Sequence, residues 1–520
     1  MGTRLRSIQA YKISLPLLFL LVLLLIPLPH ASAAGSQPVK VLLLYDSLAK
    51  GTPREGNVTV LQQLLASYRT QVTVSSIDRY KQGTMQAYAN VITVVNDGDI
   101  GISNRAYLDD LSAYPGAYLH VGYQLPAQTR DKLSAVTETV SRDTAEIAAD
   151  KRTQADIPVR DIEVLTQTGG STYGTITLSG SGRKAPFSAE AGGTAYVPYF
   201  QKGNLSELAM ASVLKKWLGI EENGQAYVVL KEIYPFSDLN LLEETADRLY
   251  GAGIPFVISI RPVFGNTDFP AMKRYEEALK YVQTRNGSIL VNAPVVLDGV
   301  SREGGTLREK MNWFIAVLAK NGVAPLGVGT EMYWTYDKEY AKSGLGFFDS
   351  AVLFPDVKTL YIDPSDTSKP FASAPYSMPM SFLRQFGAAD RSFPVFPMDT
   401  AVVYDFFGSK EEMEEAVGTL GSSGIPFADY KSGSHEVKAG DTVVASSRGT
   451  VTINGSPVNT EYTPQKISAD YEYEKKQQQS LAGAFSVQNR IFVIIIIVSL
   501  VVFGGLIVVG YRLYRKKYLK

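Results

Sequence analysis

The chain has 520 residues, 45% of them apolar and 20% charged, with no cysteine and three histidines. At roughly 150 residues per domain this length allows about three folded units. The composition excludes a disordered or fibrous chain, and the cysteine count excludes disulfides, thiolate zinc sites, iron–sulfur clusters and cysteine nucleophiles. The formal net charge is zero, yet the ends are basic: Arg4, Arg6 and Lys12 precede the first apolar run, and Arg512, Arg515, Lys516, Lys517 and Lys520 follow the last, with no acid at either end. Setting those eight aside leaves 43 bases against all 51 acids, so the middle of the chain is acidic. That argues against nucleic acid as its partner.

Residues 1–33 combine a basic start, an apolar run from Ile13 to Leu28 and the small-residue pattern Ala31-Ser32-Ala33, which predicts a signal peptide and export. Residues 34–222 predict an α/β domain of the flavodoxin or amidotransferase type, a doubly wound parallel sheet. Strands are expected at Val39–Tyr45, Val72–Ser75, Val91–Val95 and Tyr118–Val121, and helices between them. TYGTITLSG reads as one more strand, and TAYVPYF with a helix over Leu205–Leu218 closes the domain.

Residues 223–432 predict a second α/β series, with seven strands beginning near Tyr227, Ile254, Ser288, Ala324, Val357, Pro394 and Ile425. Their spacing suggests a (β/α) barrel. Leu239, Leu242, Ala246 and Leu249 share one helical face, with Ser237 or Asp238 able to cap its start. Gly-Ile-Pro-Phe occurs at both 253–256 and 424–427, an echo of one βα unit or chance. Residues 433–462 predict a small β appendage with an Asn454-Gly455 hairpin turn, and the polar residues 463–489 a linker. Residues 490–511 contain the uncharged run Ile491–Gly510, roughly 30 Å as a helix and so long enough to cross a bilayer. The basic tail 512–520 belongs on the cytoplasmic side by the positive-inside rule, which leaves the bulk of the chain outside a bacterial cell membrane.

In a barrel the reactive groups gather at the C-terminal ends of the strands. The first strand leads into Lys231-Glu232-Ile233-Tyr234-Pro235-Phe236-Ser237-Asp238-Leu239, and the second lies in GAGIPFVISIRPVF. These segments resemble the polysaccharide deacetylase-like superfamily, in a membrane-anchored bacterial branch. The resemblance covers roughly residues 225–430 and is specific over the first 70 of them. It implies an acidic pair at the first strand end and a His-x-x-x-His pair at the third, together holding a divalent metal whose water attacks an acetamide or ester. Here Glu232 stands where an acid is expected, but its neighbour is Lys231. Asn292 and Val296 occupy the positions of the two histidines. The remaining histidines, His30, His120 and His435, lie elsewhere. The expectation is therefore no metal and no other cofactor, and a catalytically degenerate barrel, a pseudoenzyme. The resemblance also implies a place beside exopolysaccharide synthesis, with polysaccharide as ligand and glycosyltransferase or secretion proteins as partners.

The candidate ligand-binding residues are Glu232, Arg261, Asn292, Glu331, Tyr333 and Trp334, with Glu232 and Glu331 the candidates if any catalysis remains. Two carboxylates flanking a sugar suffice for glycoside hydrolysis. Glu331 stands beside Tyr333 and Trp334, the pairing of acid and aromatic face that sugar sites use; the plain alternative is a packed loop with solvated acids. Asp238, Asp399 and Asp405 also follow expected strands, Asp238 reading as a helix cap. In the first domain Asp46 precedes a loop containing Gly51 and Gly56, the place where open α/β sheets bind ligands, and Asn96, Asp97 and Asp99 form a second strand-end cluster, for which a turn is a simpler reading than a metal site. No Gly-rich phosphate loop is present, so that domain reads as an interaction scaffold. Three functions remain open: a polysaccharide-binding protein, a metal-independent carbohydrate hydrolase, and a structural envelope protein with only protein partners.

Overall fold

A computed structural model of the chain describes residues 37–265, 267–294, 304–356, 366–388, 395–463, 465 and 482–518. The predicted signal peptide lies outside the described residues. The described residues up to 465 belong to one compact unit, and those from 482 to a second.

The first part follows the expected alternation: β1 (Lys40–Tyr45), α1 (Asn57–Ser67), β2 (Gln71–Ser76), β3 (Asn90–Val95), α2 (Arg105–Ala113), β4 (Ala117–Gly122) and α3 (Ala127–Leu133). The core of β1 is apolar because helices cover both faces of the sheet: Val41 and Leu43 pack on one side, Leu42 and Leu44 on the other. Two long strands come next, β5 (Val136–Ala149) and β6 (Arg152–Gln167), then β7 (Ser171–Leu178), β8 (Lys184–Ala191), β9 (Thr194–Val197) and α4 (Ser206–Trp217). The parallel strands run β2-β1-β3-β4-β9, the flavodoxin-type order. The sheet then continues antiparallel through β8, β7, β5 and β6. The wholly parallel sheet expected from the sequence is thus a mixed one. Strands β5 and β6 are exposed over much of their length and carry charges on both faces, so no clear apolar alternation marked them.

The barrel begins with β10 (Ala226–Ile233), α5 (Leu239–Gly251), β11 (Phe256–Ile260), α6 (Pro270–Thr284), β12 (Gly287–Asn292), α7 (Gly304–Lys320) and β13 (Pro325–Glu331). It continues with β14 (Ala351–Phe354), β15 (Tyr376–Met378), a one-turn α8 (Met380–Leu383), β16 (Gly387–Ala388), β17 (Thr400–Asp405) and α9 (Lys410–Ser422). Seven parallel strands close in the order β10-β11-β12-β13-β14-β15-β17, with β17 pairing back onto β10. The expected number of strands and the first four positions agree with this. Of the last three, Val357 and Pro394 lie outside the described residues, and Ile425 opens no strand, only a single bridge from Phe427 to Ala226. Both Gly-Ile-Pro-Phe copies begin with a glycine in the left-handed region after a helix, at φ 70° for Gly253 and 69° for Gly424. They share a helix stop rather than a strand start.

Sheet and barrel are stitched together. β16 leaves the barrel region to pair with β6, and the Tyr376 hydroxyl donates to Glu207 of α4 at 2.8 Å in the interior. One continuous apolar core includes Val41 and Leu119 of the sheet together with Val228, Leu290 and Val328 of the barrel. The appendage is a four-stranded antiparallel sheet, β18 (His435–Ala439), β19 (Thr442–Ser447), β20 (Thr450–Ile453) and β21 (Ser456–Pro457). Asn454 and Gly455 both have positive φ, as a type I′ turn requires.

The second unit contains α10 (Ala482–Tyr518), which includes one segment, Phe492–Lys517, long and apolar enough to cross a membrane. The helix starts inside the predicted linker and outruns the predicted span at both ends.

Candidate functional site

At the C-terminal end of β10 the register breaks. Leu230 pairs with Ile258 and Ile233 with Ile260, so three steps on β10 face two on β11, a one-residue bulge. Glu232 sits in it at φ 65°, a left-handed conformation that non-glycine residues avoid and that persists only where surroundings impose it. Here the Ile233 carbonyl accepts from the Arg261 backbone N–H at 2.8 Å and from the Tyr275 hydroxyl at 3.0 Å. The bulge places neighbouring residues in separate ion pairs at the barrel mouth. Lys231, in register with Asp405 across β17, pairs with it at 2.9 Å. Glu232 accepts from Arg261 Nη2 at 3.2 Å, while Arg261 Nη1 donates to the Ala293 carbonyl at 3.0 Å.

Asn292, the last residue of β12, is buried and lies in register with Gly329 of β13. Val296 lies outside the described residues. Glu331 ends β13, half-buried, and burial raises its carboxyl above the usual range. Arg261 and Lys231 oppose that rise and Glu232 adds to it. Arg261, Lys231 and Glu232 therefore all act electrostatically on Glu331, although the chain separates the 231–232 pair, Arg261 and Glu331 widely. A further acid joins this group: Asp356, just past β14, accepts the Tyr333 backbone N–H at 3.1 Å. Burial, reinforced by Glu331, pushes its carboxyl up to about 6. The sequence reading missed Asp356 because it expected a strand to start at Val357; the Pro355-Asp356 step after Ala351–Phe354 was the available signal for a strand end.

Tyr333 and Trp334 do not face the mouth as sugar-stacking rings. Trp334 is 1% exposed and stacks on Tyr340 with 4.3 Å between ring centres. A Cβ on Gly344 would lie 2.4 Å from its ring. Tyr333 is likewise buried, its hydroxyl pKa pushed up by burial and by Glu331. The remaining candidates are structural. Asp238 caps α5, accepting the Asn240 and Leu241 N–H groups at 3.0 Å each. Asp399 lies at the opposite end of the barrel, before β17, and accepts the Gln225 N–H at 2.9 Å. Asp46 accepts the Asn96 and Asp97 N–H groups, and Asp97 accepts that of Asp99, tying the β1 and β3 ends together. His120 is buried in the open sheet between Tyr118 and the Tyr123 carbonyl. His435 stacks on Tyr430 and bonds Ser350, before β14.

The residues present do not suit a divalent metal. An ammonium and a guanidinium occupy the mouth, each already matched to a carboxylate, and they would repel a dication. Asn292, at the end of β12, offers an amide, a weaker metal ligand than imidazole or carboxylate. Among the described residues no group of three or more histidine, aspartate or glutamate side chains could hold a metal ion. What the arrangement offers instead is a rim of ion-paired donors and acceptors beside two carboxyls that bind protons more readily than usual.

No protein-family model matches the chain, and no curated protein matches it. Among solved structures, one described as "Agd3 a novel carbohydrate deacetylase" aligns over 80% of this chain and 92% of its own, with 8% identity and a TM-score of 0.30.

Proposed function

We propose that the barrel mouth binds a cell-surface or secreted polysaccharide on the outer side of a bacterial membrane, without deacetylating it. One observation carries this reading: Lys231 and Arg261 occupy the mouth as cations neutralised by Asp405 and Glu232. That makes the end of the barrel a hydrogen-bonding surface rather than a Lewis-acid centre, and polyols are recognised by such donors and acceptors. The predicted signal peptide, the apolar α10 and the basic residues behind it supply the anchoring and orientation, and synthesis or secretion proteins of the same polysaccharide are the natural partners. In proton NMR of the full chain in nanodiscs with crude envelope polysaccharide, this reading predicts broadening of one glycan. No acetate should appear, with or without divalent metal. Metal-dependent acetate release would overturn it.

A second reading has its own support. Asp356, held at about 6 beside Glu331, is the type of carboxyl that delivers a proton near neutral pH while a neighbouring carboxylate activates water. It predicts new reducing ends in the same spectra, lost in Asp356→Asn and Glu331→Gln.

A further inference from the structure

We infer that Tyr234 and Phe236 form a stacking subsite for one pyranose ring of a neutral glycan, at the edge of the barrel mouth. The inference rests on the reading of the mouth as a glycan site and adds to it where the sugar's apolar face goes. Phe236 is 82% exposed, more than any other large apolar side chain among the described residues, those of the membrane-length helix included. Exposing a whole phenyl ring to water is costly, and the local structure holds the ring there. Tyr234-Pro235-Phe236-Ser237 is a β-turn with proline in its second position, closed by the Ser237 N–H donating to the Tyr234 carbonyl at 3.0 Å. The Ser237 hydroxyl accepts the Tyr234 N–H at 3.0 Å. On either side the chain is pinned by the bonds to the Ile233 carbonyl and by the Asp238 cap.

Within this turn the two rings stack, with centres 4.8 Å apart and planes 22° from parallel. The Arg261 guanidinium stands 5.9 Å from the Tyr234 ring centre while its Nη2 holds Glu232. An apolar slab therefore borders a row of paired polar groups. A pyranose ring matches both parts, since its axial C–H face is apolar and its rim is hydroxyl. An apolar peptide covering Phe236 would also bury the Glu232–Arg261 pair without replacing its hydration, at a desolvation cost. A neutral sugar fits because the charge of Arg261 is already met. The rigid turn lowers the ordering cost of binding.

The test is isothermal titration of the full chain in nanodiscs with cellohexaose, maltohexaose and hexa-N-acetylchitohexaose. For whichever probe the wild type binds, Phe236→Ala should weaken binding roughly tenfold, the effect of leaving about 50 Å² of apolar surface in water that the ring would otherwise cover. Phe236→Trp should keep it within about twofold, and Tyr250→Ala, another exposed aromatic, should leave it unchanged. Saturation-transfer NMR should show the axial protons of one sugar unit receiving most of the signal, and less in Phe236→Ala. Wild-type binding that Phe236→Ala leaves intact overturns the subsite while the mouth reading stands. Failure of all three probes to bind the wild type overturns both.

Discussion

His120 offers a quantitative check on the sheet. Its Nε2 faces the Tyr123 carbonyl at 2.6 Å and must carry a hydrogen, because a carbonyl only accepts; its Nδ1, 3.0 Å from the Tyr118 hydroxyl, then accepts. The neutral ring is fully satisfied, and burial, opposed only in part by the Tyr123 carbonyl, lowers its pKa from 6.5 to about 4. Above pH 6.5 the folded and unfolded chains are both neutral at this site, and it contributes no pH dependence. Between 6.5 and 4 only the unfolded chain takes up the proton, so stability falls by about 1.4 kcal/mol per pH unit. From pH 7 to 5 the loss is roughly 2 kcal/mol, levelling at roughly 3 kcal/mol below pH 4 by the same relation. Burial-raised carboxyls such as Asp46, Glu207 and Asp399 work in the opposite sense, gaining protons in the folded state as the pH falls. The informative quantity is therefore wild type against His120→Gln, in which those contributions cancel. Urea unfolding followed by fluorescence of Trp217, which donates to the Gly193 carbonyl before β9, should show the stability gap narrowing by roughly 2 kcal/mol from pH 7 to 5. A gap that stays constant or widens would refute the assignment of a buried neutral imidazole.

Three further outcomes test the barrel. Asp238→Ala removes both cap bonds of α5 and should cost about 1 kcal/mol in urea unfolding, whereas Asp238→Ser should recover most of it. Gly329→Ala would place a Cβ 2.3 Å from Ser259 Oγ and 2.8 Å from the Phe354 ring, an overpacking worth about 1–3 kcal/mol of destabilisation. Gly418→Ala, on an exposed turn of α9 with open space around it, should instead stabilise by about 0.5–1 kcal/mol. Thermal melts of the two alanine variants should move in opposite directions.

Glu232, Arg261 and Glu331 were legible as site candidates because apolar strands end at or just before them, and a strand end is a local property of the chain. So were Asp238 as a cap and Asn454-Gly455 as a turn, each defined within a few residues. The alternation of short apolar strands and amphipathic helices likewise announced an α/β chain and the first four barrel strands, since periodicity records which faces must leave water. The apolar run at 491–510 needed only its length.

Pairing and exposure were decided by the tertiary structure. Trp334 and Phe236 are both aromatic residues after barrel strands, yet one is packed against Tyr340 and the other stands in water. That difference depends on turns and neighbours contributed by distant segments. The bulge that sends Lys231 to Asp405 and Glu232 to Arg261 exists only once β10 lies between β11 and β17. The proton affinity of Asp356 arises from burial beside Glu331 on the adjacent strand. The long β5–β6 pair stayed hidden because its strands hold each other through backbone hydrogen bonds, which leave side chains free to be polar. Local sequence thus specified the elements, while the electrostatics of the mouth came from strands that closure of the barrel brings together.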